Sequence, residues 1–511
     1  MRLTPIFMRT CALAGIFLVS LTSVMVASPA HATPWADSDD VQVRHNLQIL
    51  ADAGVVNLSV STYPLMWGAL MEVLQGVDTR NLRPHERNAY MQVMAALEFH
   101  QQGGYTGGQI SGQSNNDGER GFGQRQHEKG AIEITRELKG DHSAFRLQTA
   151  WRTGRETRFG RQDKQELSFA GSYLATVVTS EVLGSWVLSA DQLYTWWSPS
   201  YENDGMHTRS ARPLHALRVT RAGASSSNLP ILKWLGPWSA TAYAGRSERL
   251  VGAPELLISD FEGVNDILVT DAPAAREEAF GIRVTANPHR SLQLGARFTG
   301  AHLVHTSKNA AIDVRVVLPK KLTPGQLAVY GELITHQSDI DNTYHTLGAD
   351  YSFAFGGGSG AGSGASSSSK RASAITNARV YAEHLYHQQK ETIAVGYSQF
   401  NTAGFGIDVR LRNIRYQPNY YRAIDWQNLT YTDGANTFVS AQALQQYLAG
   451  RQERQQADIT FYVPLREGRL SAGVQAWRDS YRSDVDSGVG AAGNSANDTD
   501  VNVFLNWEIR W

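Results

Sequence analysis

Val501-Asn502-Val503-Phe504-Leu505-Asn506-Trp507-Glu508-Ile509-Arg510-Trp511 closes the 511-residue chain, and its reading decides the fold. Val501, Val503, Leu505, Trp507, Ile509 and Trp511 share one side of a strand, with mostly polar residues on the other. An amphipathic edge strand in water rarely carries so many bulky apolar residues on its exposed side. A strand in a membrane barrel does. Trp507 and Trp511 then sit at the lipid interface, where indole is amphipathic, while Glu508 and Arg510 face a wet lumen.

Outward from that stretch, the same period of two runs back to Tyr105. Ile132, Ile134 and Leu138 alternate with Glu133 and Glu137; Gly140-Asp141 makes a turn; Phe145, Leu147 and Trp151 then alternate with Arg146, Gln148 and Arg152. Taken alone, this pattern fits a soluble sandwich as well as a barrel. The strand count favours the barrel, with about eighteen alternating segments between 105–113 and 500–511. An even number returns the C-terminus to the side on which the barrel begins. The long connections 248–276, 416–455 and 482–499 then share the far side, and tight turns such as Asn287–Arg290 and Arg466–Gly468 share the near side. The Gly/Ser/Ala tract Gly356–Ser369 is an insert on the near side, an exception to the short-turn rule. The expected fold is an all-β transmembrane barrel of about eighteen antiparallel strands over residues 105–511. Its terminal aromatic resembles the C-terminal signal of bacterial outer-membrane barrels, which makes Trp507 and Trp511 candidate assembly residues and the barrel-assembly machinery and outer-membrane lipids expected partners.

The first hundred residues follow other periods. Arg2 and Arg9 precede the apolar run Cys11–Val26, and Ala30-His31-Ala32 supplies a small-x-small cleavage pattern, so residues 1–32 read as a secretory signal peptide. Cys11 is the only cysteine, which leaves the exported protein without a thiol or disulfide. Because the apolar run follows Cys11, the spacing does not suit a lipoprotein. Residues 33–104 read as a small helical head on the periplasmic side. Val43, Leu47 and Leu50, then Trp67, Leu70, Met71 and Leu74, then Tyr90, Val93, Met94 and Leu97 mark three amphipathic helices. Thr62 is an expected N-cap with Pro64 in the first turn, and Gly54 and Gly76 suit left-handed helix ends. A net charge of -1 gives no basic footprint for nucleic acid. No later stretch reaches the length of an apolar membrane helix.

Three further stretches carry a family resemblance: Ala53-Gly54-Val55-Val56-Asn57-Leu58-Ser59-Val60-Ser61-Thr62-Tyr63-Pro64-Leu65 in the head, Trp196-Trp197-Ser198-Pro199-Ser200-Tyr201-Glu202 with Arg212-Pro213, and Trp234-Leu235-Gly236-Pro237-Trp238. In this order they resemble the capsule-assembly outer-membrane protein family called Wzi, with Ser198 and Ser200 standing where that family usually carries glycine. The resemblance implies an eighteen-stranded barrel with periplasmic-side helices that binds capsular polysaccharide at the cell surface, and it covers the head and roughly the first 200 barrel residues.

Two clusters suit a sugar, whose C–H faces stack on aromatic rings and whose hydroxyls need charged or amide partners. The first is Trp196, Trp197 and Tyr201 with Glu202, Arg209 and Arg212, after the fifth strand; its alternative is a plug folded into the lumen. The second lies in 416–455, with Arg422, Trp426 and Tyr431 as the expected contacts; its alternative is an aromatic girdle, to which Tyr416 and Tyr420 would belong. No catalytic set stands out. His384 and His387 face opposite sides of one strand, and Asp484 and Asp486 read as solvated charge. The expected function is a non-enzymatic, lectin-like outer-membrane protein that needs no cofactor or metal and holds capsular polysaccharide or an exopolysaccharide. The alternative is a channel lined by Glu133, Glu137, Arg146 and Arg152; an outer-membrane hydrolase ranks third.

Overall fold

A computed structural model of the chain describes residues 35–36, 40–115, 118–124, 128–153, 166–180, 184–204, 213–223, 232–246, 254–257, 266–271, 278–302, 306–319, 325–336, 339–355, 375–387, 390–416, 430–433, 436–440, 451–481 and 498–511. The expected signal peptide, Arg209, Arg212, Arg422, Trp426, Asp484, Asp486 and the Gly/Ser tract lie outside the described residues.

Eighteen strands close into one antiparallel barrel. They are β1 (Gly104–Gln113), β2 (Gly130–Lys139), β3 (Ser143–Thr153), β4 (Glu166–Ser168 and Tyr173–Ser180), β5 (Gly184–Asp191), β6 (His215–Arg221), β7 (Trp238–Arg246), β8 (Glu278–His289) and β9 (Leu292–His302). The second half comprises β10 (Thr306–Val317), β11 (Gln326–His336), β12 (Asp339–Phe355), β13 (Thr376–His387), β14 (Lys390–Asn401), β15 (Gly406–Tyr416), β16 (Arg451–Leu465), β17 (Gly468–Tyr481) and β18 (Asp498–Arg510). The two pieces of β4 pair with the two ends of β3, so they are one strand interrupted at Phe169–Ser172. The terminal stretch closes the ring: β18 pairs with β1 from Phe504↔Gln113 to Arg510↔Gly107, and Trp511 exchanges backbone hydrogen bonds of 2.9 Å with Thr106.

Burial is inverted relative to a soluble protein, and this settles the choice between sandwich and membrane barrel. On β2, Ile134 is 63% exposed while Glu137 is 0% exposed. Phe145, Leu147, Trp151, Val503, Leu505, Trp507 and Trp511 are likewise exposed, whereas Arg146 and Arg152 are buried. An apolar outer band around a polar interior is stable only against hydrocarbon. The chain therefore forms an outer-membrane-type barrel. No described helix is long and apolar enough to cross a membrane. Several aromatic rings lie over glycines of neighbouring strands. A Cβ added at Gly348 would fall 2.4 Å from Tyr330, and one at Gly396 would fall 2.1 Å from Tyr381. The missing side chains let these rings lie along the inner wall.

Three helices precede the barrel: α1 (Val41–Asp52), α2 (Trp67–Leu74) and α3 (Pro84–Gln101). Asp40 caps α1 by accepting from the Val43 amide at 3.0 Å, and Gly54, at φ 71°, takes the left-handed position beyond its end. Pro84 starts α3, and Glu86 accepts from the Arg83 amide at 2.9 Å. Two expectations are corrected. Thr62 caps no helix: Leu65–Met66 pairs with Trp35–Ala36 as a short two-stranded sheet, α2 starts only at Trp67, and the Thr62 hydroxyl accepts from Arg283 at 2.8 Å. Gly76 is not left-handed, because Gln75 ends α2 in the right-handed region. The helices are also not a free-standing layer. Eleven of the 12 residues of α1 are buried, and the apolar core runs from Leu47, Leu50, Trp67 and Leu97 into the wall residues Ala144, Tyr173 and Phe400.

On the far side, two expected separate loops share a sheet. Pro254–Leu257 and Asp266–Asp271, between β7 and β8, pair in a four-stranded antiparallel sheet with Asn436–Ser440 and Thr430–Asp433, between β15 and β16. The parent hairpins lie on opposite sides of the ring, so this sheet crosses the mouth.

Candidate functional site

Strand β5 is only 8 residues long, and from its end the chain turns into the lumen. Trp196 forms an antiparallel bridge with Tyr63 of the helical region: the Tyr63 amide donates to the Trp196 carbonyl at 2.8 Å and the Trp196 amide donates back at 3.0 Å. Beyond Trp196, alternate residues are held by charged side chains of the wall. Ser198 donates to Glu332 of β11 at 2.8 Å, and Ser200 donates to Glu383 of β13 at 2.6 Å. Glu202 pairs with Arg412 of β15, and Asp204 pairs with Arg297 of β9. Ser198 and Ser200 thus supply hydroxyl donors to two buried carboxylates.

Glu383 also accepts from the Tyr201 amide at 2.7 Å, the Glu202 amide at 3.2 Å and the Tyr330 hydroxyl at 2.7 Å. Tyr201 stacks on Tyr381 with ring centroids 4.8 Å apart. From the helical side, the Arg44 guanidinium of α1 donates to the carbonyls of Pro199 at 3.1 Å and Ser200 at 2.9 Å, and lies 4.1 Å from the Phe122 ring and 4.2 Å from the Tyr201 ring. Burial works to raise the Glu202 carboxyl, but the guanidiniums of Arg412 and Arg410 outweigh it and hold Glu202 below the usual carboxylate range. The helix is in turn tied to the wall, with Asp52 accepting from Arg315 at 2.6 Å and His45 bonded to Ser398 at 2.9 Å.

This assembly is a plug. Trp196, Trp197, Tyr201 and Glu202 are 1%, 0%, 4% and 6% exposed, so no sugar face can stack on them as they stand. In these four residues of the first cluster the aromatic rings fill lumen space and the carboxylate neutralises a wall arginine; Arg209 and Arg212 lie outside the described residues. Of the second cluster, Tyr431 lies in a strand of the far-side sheet, its backbone paired with Phe438. Tyr416 ends β15 and Lys390 lies 6.0 Å from its ring centroid. The proposed channel lining does face inward but is engaged: Arg146 donates to Glu137 at 2.7 Å and Arg152 to Glu128 at 2.9 Å. His384 is bonded to Glu391 at 2.8 Å. Among the described residues no group of histidines and carboxylates is arranged to hold a metal ion. Sequence reasoning passed over Arg44, Arg297, Glu332, Glu383 and Arg412, which hold the plug. Alternation marks the wall residues as inward-facing, but no local signal tells which wall charge meets which plug residue.

The molecule is thus a closed eighteen-strand wall with helices seated in its near mouth and an internal plug after β5. Residues 98–302 match the family of the capsule assembly protein Wzi. The match begins in α3 and runs through the plug to the end of β9. Across 93% of this chain and 99% of the other, the fold superposes with a TM-score of 0.65, at 15% identity, on Wzi of Escherichia coli, described as an outer-membrane, carbohydrate-binding β-barrel involved in group 1 capsule assembly. A Klebsiella pneumoniae protein from a cps region, an uncharacterized 55.8 kDa protein, is 23% identical over 293 residues, which are 56% of this chain and 51% of that protein. The chain thus spans about half the length of the curated relative it matches. Pseudomonas aeruginosa OccK11 covers 80% of the chain at 8% identity with a TM-score of 0.39.

Proposed function

We propose that this protein is a non-enzymatic carbohydrate-binding barrel of the outer membrane that holds capsular or related surface polysaccharide at its far face, with residues 33–104 as a periplasmic-side stopper. The observation that carries the reading is the plugged lumen. Trp196–Asp204 is fastened to four wall strands and to α1, which leaves recognition rather than bulk passage as the task of the outer face. The Wzi-family match over residues 98–302 supports polysaccharide as the ligand class. A channel reading is disfavoured by the same plug. Outer-membrane lipids would contact the apolar band, and the barrel-assembly machinery would read the strand ending in Trp511.

Within this proposal, Arg422, Trp426 and Tyr431 carry the sugar contacts, in or beside the connection that contributes to the far-side sheet. The mechanism is many weak contacts along a repeating polymer, where effective concentration raises avidity above single-site affinity. Stacking and charged hydrogen bonds are each worth about 1–3 kcal/mol. Arg422→Ala with Trp426→Ala should release polymer into the medium, leaving total polymer and the amount of heat-modifiable barrel unchanged. Unchanged cell-bound polymer in a well-assembled double variant would move the site elsewhere.

A further inference from the structure

Inside the barrel, against the wall of β16, β17, β18, β1, β2 and β3, lies a cavity of ≈ 120 Å³ that the proposed function does not use. Trp67 and His100 of the helical region close one side, and Arg120, Gly123 and Gln124 of the first far-side connection close another. Aromatic rings of Tyr105, Tyr462 and Phe504 stand beside the amides of Gln109, Gln475 and Asn506. Three residues around it, Trp67, His100 and Asn506, each carry a fully buried polar atom (Nε1, Nδ1 and Oδ1) that meets no hydrogen-bond partner among the described residues. Trp67 is 1% exposed, so its indole N–H has little access to bulk water, and an unsatisfied donor there is costly. Charge is balanced around the cavity, with Arg120, Arg469 and Arg510 against Asp40, Glu133 and Glu508. Arg510 pairs with Glu508, and Arg469 pairs with Asp40 at 3.2 Å.

We propose that this slot is an internal carbohydrate subsite that takes a single uncharged pyranose unit. The rings of Tyr462 and Phe504 offer apolar surface for sugar C–H groups, and the amides of Gln109 and Asn506 offer donors and acceptors for hydroxyls. The balanced charge selects against uronic acids, which would bring an uncompensated carboxylate into a buried space. The volume is roughly ten times the 10–15 Å³ of such space that one water needs and below the roughly 300 Å³ of pockets that hold drug-sized ligands, which fits one ring rather than an oligosaccharide. The subsite rests on the carbohydrate-binding reading above but lies inside the barrel, apart from the residues proposed to retain polymer.

The test is equilibrium dialysis of the purified full chain, in a detergent without a sugar headgroup, against labelled glucose, galactose and glucuronate. The expected result is saturable binding of an uncharged hexose and weak or absent binding of glucuronate. Gln109→Leu with Asn506→Leu, which removes two amides at similar volume, should weaken that binding at least about tenfold. Ser471→Phe, which places a ring in the slot, should abolish it. Both variants should keep heat-modifiable barrel and cell-bound polymer. If the wild-type chain binds neither hexose, or if both variants assemble and bind it unchanged, the subsite is refuted even where polymer retention stands. Loss of retention only in the Arg422/Trp426 variant, with hexose binding intact, supports both sites; hexose binding by a chain that retains no polymer leaves the subsite and removes the surface reading.

Discussion

Glu383→Ala should loosen the plug while leaving the barrel built. The Glu383 carboxylate receives four donors: the Ser200 hydroxyl at 2.6 Å, the Tyr201 amide at 2.7 Å, the Glu202 amide at 3.2 Å and the Tyr330 hydroxyl at 2.7 Å. Three of these belong to the plug, so the substitution strikes its attachment and not the interstrand ladder of β13. A buried donor left without an acceptor costs about 1–3 kcal/mol, and with three plug donors losing theirs the total is about 3–5 kcal/mol once water enters the space. At 1.4 kcal/mol per power of ten, the detached population should rise roughly a hundredfold to a thousandfold. Arg44 still grips the carbonyls of Pro199 and Ser200, so detachment is expected to be intermittent. Limited proteolysis of the folded barrel should cut near Trp196–Asp204 far faster than in the wild type. In a planar bilayer the wild type should pass little steady current and the variant should show brief openings. Glu383→Gln, which keeps one acceptor oxygen, should fall between them. An Ala variant that assembles normally and matches the wild type in both cleavage and current would show that this carboxylate does not retain the plug.

Two further outcomes are expected besides those for the far-side connection and the internal slot. Trp511→Lys should reduce heat-modifiable barrel without blocking export across the inner membrane, since a charge on the lipid face costs up to about 2–4 kcal/mol at the midplane and less near the interface; normal assembly of this variant would remove the terminal strand from the assembly role. Stability should also fall on acidification. Burial, aided by Arg379 for His45 and by Arg510 for His100, holds both imidazoles well below their usual value, so the unfolded chain binds more protons than the folded one once pH drops under about 6.5. The stabilising contribution is complete above that pH and lost below it, by up to about 1.4 kcal/mol per histidine per pH unit. Heat-modification midpoints measured at about pH 7.5 and 5.5 should therefore differ, and His45→Gln should shrink the difference; a midpoint independent of pH would contradict this.

Much of the wall was legible because a strand in lipid has few choices. Once Ile132, Ile134, Phe145 and Leu147 point to hydrocarbon, the register of Glu137 and Arg146 follows from the period of two, and both are buried as expected. The strand ends were less legible. The segment expected at 500–511 begins at Asp498, because pairing with β17 extends the strand past its apolar part. Thr62 misled because a good N-cap residue next to a proline fits an extended segment equally well when a tertiary bridge at Tyr63 and Trp196 claims the backbone. The plug was recognisable as one of two readings of Trp196–Glu202. Its anchors were not, since Ser198, Glu332 and Arg297 lie far apart in the chain and meet only because the ring closes.

The sheet across the far mouth has a mechanical consequence. An isolated loop transmits a tug only to its own hairpin, and hairpins at the rim of a barrel peel one hydrogen bond at a time. Here the backbone pairing Ile267↔Val439 and Leu268↔Phe438 ties the hairpin of β7 and β8 to that of β15 and β16 on the opposite side of the ring. The tie works as a cross-brace: it resists ovalisation of the rim, and it splits a pull on either hairpin between two opposed sectors of wall. Under the shear of flowing medium, the load then falls on the whole lipid-facing girdle rather than on one pair of strands.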